Sequence, residues 1–129
     1  MADHALETLD DLRISTFLGE GTFGCVRLGS DATATYAVKM SPLNDDDEGI
    51  PVSAMREYAI CRRLGHPNVL QILREPLRYK TFVCLVFERC DVNLKGFLTE
   101  RGHGGVHGTG GLAYSEMQWL TVQLLRGLT

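Results

Sequence analysis

Apolar and polar residues alternate between positions 12 and 41 of the chain. This alternation is typical of β-strands that bury one face against a core. Short turns containing glycine or aspartate interrupt it twice, which predicts three strands, at residues 12–20, 24–30 and 34–41. A run of acidic residues follows at 42–49 and is expected to form a solvated loop.

The middle of the chain combines one predicted helix with two further strands. A proline precedes the helix predicted at 52–64, and a glycine and a second proline follow it, as expected for helix boundaries. Apolar runs at 69–75 and 80–88 predict the remaining strands. The second run, TFVCLVF, is apolar at every position after its threonine, which is typical of a strand buried on both faces.

The last third of the chain is expected to be helical. Two helices are predicted, at 92–99 and 114–128, with a glycine-rich loop between them. The second helix places four apolar side chains on one face, at Met117, Leu120, Leu124 and Leu128. The whole pattern predicts an α+β fold, in which a five-stranded antiparallel sheet carries one packed helix and two helices follow it.

The composition excludes several classes of protein. The 129 residues are 44% hydrophobic and 22% charged, which is typical of a globular domain and not of a disordered chain. A formal net charge of -3 gives no basic surface for nucleic acid. No apolar run is long enough to span a bilayer, and the acidic N-terminus lacks the apolar core of a signal peptide. The sequence therefore predicts neither a nucleic-acid partner nor a membrane.

The four cysteines indicate a reducing compartment. They form no CxxC pair, and two of them lie in apolar surroundings, so we expect a cytoplasmic or nuclear protein with buried thiols. An alternative is a zinc site with the spacing C-x5-C-x12-H-x3-H, formed by Cys84, Cys90, His103 and His107. Against this alternative, the first gap is wider than in a zinc finger, and both histidines lie among glycines instead of on a helix.

The stretch LGEGTFGCV contains glycines at the spacing G-x-G-x-x-G, at Gly19, Gly21 and Gly24. Glycines at this spacing expose backbone N–H groups that can bind phosphate. Here they connect two predicted strands, whereas a dinucleotide-binding motif leads from a strand into a helix. The motif alone is weak evidence, because any glycine-rich hairpin can contain it.

A lysine and a glutamate strengthen the phosphate interpretation. Lys39 lies in the apolar strand segment YAVK, where an unpaired ammonium is costly to bury. Glu57 begins a helical stripe that continues through Ile60, Cys61 and Leu64. Either charged side chain could face solvent, but each is also a suitable partner for the other. A glycine-rich turn, a strand lysine and a helix glutamate in this order are the parts that hold ATP phosphates in protein kinases.

The sequence resembles the N-terminal lobe of a eukaryotic protein kinase, with the cyclin-dependent kinases as the nearest match. The resemblance covers about residues 12–129 and includes PVSAMRE at 51–57, where that family has PSTAIRE or a near variant. It continues through HPN, LVFERCDVNLKGFL and QLLRGL, which resemble the turn after the helix, the hinge region and the helix before the catalytic loop. The resemblance implies a kinase N-lobe fold.

The resemblance also implies ATP as the cofactor and gives roles to individual residues. Lys39 and Glu57 would form a catalytic pair, in which Lys39 binds phosphate and Glu57 orients the Lys39 side chain. Glycines would cover the phosphates, apolar side chains would enclose the adenine ring, and Phe87 would be the gatekeeper at the back of the pocket. The residues implied for ATP binding are Leu18, Gly19, Glu20, Gly21, Gly24, Val26, Ala37, Lys39, Phe87, Glu88, Cys90 and Asn93.

Two kinds of partner follow from the same resemblance, a cyclin-like activating subunit and a protein substrate. Val52 and Met55 would face the cyclin-like subunit, and Arg56 would help to receive a phosphorylated activation segment. Thr22 keeps the hydroxyl of a regulatory phosphorylation site, whereas Phe23 stands where many relatives have a phosphorylated tyrosine.

The catalytic motifs that follow an N-lobe are absent from these 129 residues. There is no H-R-D loop to orient a substrate hydroxyl, and no D-F-G aspartate or catalytic-loop asparagine to bind magnesium. We therefore expect a loosely ordered acidic segment at 1–11, an N-lobe with hinge at 12–91, and an incomplete start of the second lobe at 92–129. Such a chain would have no kinase activity on its own. The alternative is a non-catalytic N-lobe module that binds a cyclin-like partner as a decoy or scaffold.

Overall fold

The computed structural model of the chain describes residues 7–8, 11–21, 24–43, 49–102 and 112–129. These residues divide into two compact units. The first unit comprises the described residues of Met1–Gly65 and Leu70–Arg89, and the second comprises those of His66–Val69 and Cys90–Thr129.

Within the described residues, the first unit contains a six-stranded sheet and one helix. The strands are β1 Glu7–Thr8, β2 Arg13–Gly21, β3 Gly24–Ser30, β4 Thr35–Pro42, β5 Leu77–Tyr79 and β6 Phe82–Glu88. Their order across the sheet is β1-β5-β6-β4-β3-β2, and the helix α1, Val52–Arg63, follows β4. Strands β2 to β6 pair antiparallel, which confirms the predicted α+β class and its five-stranded antiparallel sheet.

The strand predicted at 69–75 is wrong in position. That stretch makes a single antiparallel bridge to the sheet, between Ile72 and Phe87, through the backbone bonds of Gln71 and Leu73 to β6. The regular strand follows at β5. Between this bridge and β5 the chain bulges away from β6. Pro76 has no N–H to donate to the strand ladder, and the Arg74 side chain pairs with Asp31 instead. Regular pairing with β6 therefore stops before β5.

The N-terminal segment contributes a strand that was not predicted. Strand β1 pairs in parallel with β5, with Glu7 opposite Leu77 and Thr8 opposite Arg78. Of the segment expected to be loosely ordered at 1–11, residues 7–8 form β1, and residues 1–6 and 9–10 lie outside the described residues. An edge strand offers unpaired backbone N–H and C=O groups, which a segment can bond whatever its side chains are.

Each face of the sheet carries its own core, because successive residues of a strand point to opposite sides. One face is covered by the cluster of Leu12, Val38, Met40, Leu77, Cys84 and Val86. The other face carries Leu85 and Phe87 from β6, with Ala37 of β4 and Tyr58 of α1 packed against them. Strand β6 is therefore buried on both faces, as its continuous apolar run predicts.

Helix α1 forms close to its predicted range, but only part of its predicted apolar stripe faces the sheet. Its buried residues are Ala54 and Tyr58. Ile60 and Leu64, which belong to the predicted apolar stripe, are 55% and 42% exposed. The stripe prediction is therefore wrong for these two residues, whereas Cys61 packs against the buried cluster and Glu57 faces Lys39. Tyr58 takes the inner position because its ring buries a large apolar area while its hydroxyl finds a hydrogen-bond partner.

The second unit contains two described helices, α2 Leu94–Gly102 and α3 Tyr114–Leu128. Both were predicted, although α2 begins two residues later than the sequence pattern indicates. Asn93 explains this start, since its side-chain oxygen accepts the N–H of Gly96 at 2.7 Å as an N-cap. No helix in the described part of the chain is long and apolar enough to cross a membrane.

An open apolar groove of about 570 Å³ lies within this second unit. Met117, Leu120 and Leu124 of α3 line it, together with Leu94 and Leu98 of α2. The apolar stripe predicted for the last helix therefore remains accessible to solvent in this unit, and Leu124 is 66% exposed.

A charged cluster joins the turn between β3 and β4 to the bulge before β5. The carboxylate of Asp31 accepts hydrogen bonds of 2.5–2.9 Å from the Thr33 N–H and hydroxyl, the Ala34 N–H, the Tyr36 hydroxyl and the Arg74 guanidinium. Arg74 also pairs with Asp11 at 3.0 Å and lies 5.3 Å from the centroid of the Tyr36 ring. These hydrogen bonds, above all that from the Thr33 hydroxyl, hold the pKa of Asp31 well below its ordinary value.

Replacing Asp31 with asparagine is expected to reduce the loss of stability in acid. The folded-state pKa of Asp31 lies below its unfolded value of about 3.9. Its bonds therefore stabilise the fold above that value and are lost as the pH falls through the folded pKa. Urea unfolding at neutral pH and at about pH 3 should show a steeper loss for the native chain than for the asparagine variant. Equal losses in the two chains would contradict the assignment.

Candidate active site

Lys39 lies in the middle of the sheet and is paired with helix α1. Its strand neighbours are Val26 on β3 and Leu85 on β6. The Lys39 Nζ donates a hydrogen bond of 2.7 Å to Glu57 Oε2, and the two side chains are 28% and 33% exposed. The ion pair that the sequence indicated is thus present. It is partly shielded from water, which strengthens it relative to a surface pair, and it stays open to a ligand.

The glycine-rich turn connects β2 to β3, and its glycines differ in what the fold requires of them. Gly24 has a φ of 144°, and a Cβ there would collide with the carbonyl oxygen of Met40. A Cβ at Gly19 or Gly21 would meet nothing within 4 Å. Of these three glycines the fold therefore requires only Gly24, and the backbone at the other two positions is open to a ligand. Thr22 and Phe23 lie outside the described residues.

Three of the residues implied for adenine binding share the face of the sheet that carries Lys39. Ala37 lies two residues before Lys39 on β4 and is paired with Phe87 of β6. Val26 is the direct neighbour of Lys39 on β3. Phe87 is buried, while Val26 and Ala37 are half-buried. These side chains give an apolar surface beside a charged pair, which suits a ligand with a flat ring and phosphates.

For the other residues implied for ATP binding, the structure gives an exposed position or a hydrogen bond within the chain. Leu18 and Glu20 are exposed on β2. The Glu88 side chain accepts the backbone N–H of Gln71 at 3.0 Å, at the end of β6. In the second unit Cys90 is exposed, and the side-chain oxygen of Asn93 caps α2. Their roles toward ATP stay predictions.

The three residues implied for partner binding lie together on the outer side of α1. Val52 is 68% exposed and Met55 is 38% exposed. Arg56 is exposed beside them. An exposed pair of apolar side chains next to a cation is compatible with a protein partner, and the assignment stays a prediction.

One contact near the site was missed by sequence reasoning. The Tyr58 hydroxyl donates a hydrogen bond of 2.5 Å to Glu75 Oε2, and Tyr58 is only 8% exposed. The signal in the sequence is a second helical spacing of apolar residues, at Ala54, Tyr58 and Cys61. It competes with the predicted stripe that begins at Glu57.

Two cysteine thiols of the first unit, Cys84 and Cys61, have raised pKa values. Burial raises the pKa of the Cys84 thiol to about 12. Burial, with the nearby Glu57 charge, raises the pKa of Cys61, and Lys39 opposes this shift. For the zinc alternative, His103 and His107 lie outside the described residues. Within the described ones no cluster of three or more His, Cys, Asp or Glu could hold a metal ion.

Comparison with known proteins agrees with this geometry. The sequence matches the protein kinase domain family over residues 12–129, so the chain belongs to that family. Within it, the chain is similar to the cyclin-dependent kinases. It is 36% identical over 98 residues to a cyclin-dependent kinase 2 homolog of Crithidia fasciculata. The match covers 74% of this chain and 20% of that relative, so the chain spans about a fifth of the relative's length. Protein kinase domains in general use ATP and magnesium.

Proposed function

We propose that this chain is the ATP-binding part of a cyclin-dependent-kinase-like protein serine/threonine kinase. The complete protein transfers the terminal phosphoryl group of ATP to serine or threonine side chains of protein substrates. The observation that carries the proposal is the ion pair of 2.7 Å between Lys39 and Glu57, on the sheet face that also holds Val26, Ala37 and Phe87.

The described residues fit the parts of ATP that they are proposed to bind. The Lys39 ammonium supplies positive charge for phosphate oxygens, and Glu57 fixes its direction. The open positions at Gly19 and Gly21 let backbone N–H groups approach the phosphates closely. Magnesium would accompany the nucleotide, but the aspartate and asparagine that bind it in kinases are not among these 129 residues.

Labelling of Lys39 by an ATP analogue with a reactive acyl phosphate tests nucleotide binding. The chain has three lysines, so Lys80 and Lys95 serve as internal references in the same digest. We expect Lys39 to be labelled more than either reference, and an excess of ATP to suppress that labelling selectively. Equal labelling of all three lysines, or no effect of ATP, would contradict the proposal.

The chain on its own is proposed not to transfer phosphate. Without magnesium ligands and a substrate-orienting aspartate, phosphoryl transfer loses its main electrostatic and positioning contributions. Radiolabel transfer by the purified 129-residue chain should equal that of a Lys39→Met variant. Transfer clearly above that control would overturn this part of the proposal.

The exposed side of α1 favours a second candidate function, a non-catalytic module that binds a cyclin-like subunit. Val52 and Met55 are exposed apolar residues on the same side of the helix. The test is competition with a full cyclin-dependent kinase for its cyclin, with Val52→Asp as the negative control. Inhibition by the native chain but not by the variant supports a decoy or scaffold.

A cytoplasmic or nuclear location is also proposed, since all four cysteines are free.

A further inference from the structure

Helix α1 carries Glu57 but has few anchors on the sheet. Among its twelve residues only Ala54 and Tyr58 are buried. Its N-cap residue, Pro51, provides no side-chain hydrogen bond. The distance between Glu57 and Lys39 therefore depends on a small number of side chains that fix the helix in place.

Tyr58 is the one anchor that is both buried and hydrogen-bonded. Its ring packs in the cluster of Leu85 and Phe87, and Leu85 is the strand neighbour of Lys39. Its hydroxyl bonds Glu75 at 2.5 Å. Adjacent residues of the helix thus reach two different parts of the sheet, with Glu57 bonded to β4 and Tyr58 bonded to the bulge before β5.

The partner, Glu75, belongs to a segment that is fixed on both sides. Before it, Arg74 is bonded to Asp31 and to Asp11. After it, Pro76 is buried, and Leu77 is 2% exposed and begins β5. The Glu75 carboxylate is therefore held by a part of the sheet whose backbone has little freedom to follow a moving helix.

A second helix residue contacts Glu75 more weakly. The Arg62 guanidinium lies 3.8 Å from Glu75 Oε1, and it is 5.9 Å from the centroid of the Tyr58 ring. Both charged side chains are more than 60% exposed, and exposed ion pairs contribute little. The hydrogen bond of the buried Tyr58 hydroxyl is therefore the main connection between the helix and the bulge.

We infer that Tyr58 is a positioning residue, whose hydrogen bond to Glu75 holds helix α1 where Glu57 reaches Lys39. The inference rests on the proposed function, in which that ion pair orients phosphate. Removing the hydroxyl leaves the ring in its apolar cluster and leaves the Glu75 carboxylate mostly in water. Tyr58→Phe should therefore keep the fold and weaken only the attachment of α1 to the sheet.

The experiment measures how fast a small amine-acetylating reagent modifies Lys39 relative to Lys80 and Lys95, without nucleotide. The Glu57 carboxylate occupies the Lys39 Nζ and limits the approach of the reagent, so Glu57→Gln sets the upper limit of the ratio. Tyr58→Phe is expected to raise the ratio about tenfold, as loss of a hydrogen bond to a charged group would. Tyr79→Phe is the matched control, because it removes a hydroxyl from the opposite face of the sheet. Its ratio is taken against Lys95 alone, since the Lys80 ammonium lies 5.2 Å from the Tyr79 ring, and should be unchanged.

Rescue by a conservative change separates positioning from general loosening. Glu75→Gln keeps an acceptor for the Tyr58 hydroxyl and should raise the ratio less than Glu75→Ala does. A wild-type ratio in both Tyr58→Phe and Glu75→Ala, with a raised ratio in Glu57→Gln, would overturn the inference. An equal rise of the Lys39 ratio in Tyr79→Phe would also overturn it, since that reports general loosening of the sheet. No nucleotide is present, so a failure of ATP to bind would refute the proposed function without changing this result.

Discussion

Replacing Gly24 with alanine is expected to lower the free energy of unfolding by about 3 kcal/mol. The backbone there has a φ of 144°, which residues with a Cβ rarely adopt. The added Cβ would also meet the carbonyl oxygen of Met40, which belongs to the central strand β4. Because Met40 is paired with Cys25 of β3 and Cys84 of β6, its backbone cannot move aside without disturbing the sheet. Urea unfolding followed by circular dichroism measures the loss.

Gly21→Ala is the matched control for this prediction. A Cβ at Gly21 meets nothing within 4 Å, and its φ is not in the left-handed region. Its stability should stay within about 1 kcal/mol of the native chain. Nucleotide labelling of Lys39 should nevertheless fall in this variant, because the new methyl group lies where a phosphate is proposed to approach. Equal stability of the Gly21 and Gly24 variants would refute the different roles given to these glycines.

The sequence predicts the sheet well where hydrogen bonding and apolar pattern agree. Strands β2, β3, β4 and β6 and helix α1 lie within about two residues of their predicted bounds. The fourth strand was misplaced because the apolar run at 69–75 has the composition of a strand. What decides its position is Pro76, which interrupts the ladder, and the ion pair of Arg74 with Asp31 across 43 residues of sequence. Such a distant partner leaves no local signal.

The inner face of α1 shows a limit of reading apolarity alone. Ile60 and Leu64 are more hydrophobic than a tyrosine, yet they are exposed in the first unit. Tyr58 is buried because its hydroxyl is satisfied by Glu75. The sequence contains both residues but not the bulge that brings them together, so neither the inner face nor the contact could be derived from it.

The candidate site was easier to predict than the contact that supports it. Lys39 and Glu57 are each costly to bury alone, and a charge in an apolar segment calls for an opposite charge. That argument makes each residue a candidate partner for the other, and the glycine-rich turn with the kinase resemblance selects the pair. Neither Tyr58 nor Glu75 requires a partner in this way, because a partly buried tyrosine and an exposed glutamate are both common in proteins.

Exchanging Glu57 for glutamine is expected to weaken nucleotide binding about tenfold or more. The variant replaces a charge-assisted hydrogen bond of 2.7 Å with a neutral one, so the Lys39 ammonium is no longer held in one direction. Stability should change little, since the glutamine can still accept a hydrogen bond and both side chains are about a third exposed. Titration of a fluorescent ATP analogue, with ATP as competitor, measures the affinity, and urea unfolding measures the stability.

Glu100→Gln makes the same change of charge at an exposed position of α2. Comparing it with Glu57→Gln separates the orientation of Lys39 from the general effect of one less negative charge on an anionic ligand. Removing the Glu100 carboxylate should leave binding unchanged or slightly tighter, because one less negative charge reduces repulsion of the phosphates. Binding weakened only by Glu57→Gln would therefore mean that the geometry of the pair sets the affinity. If native chain and both variants bind the analogue equally, the ion pair does not orient phosphate.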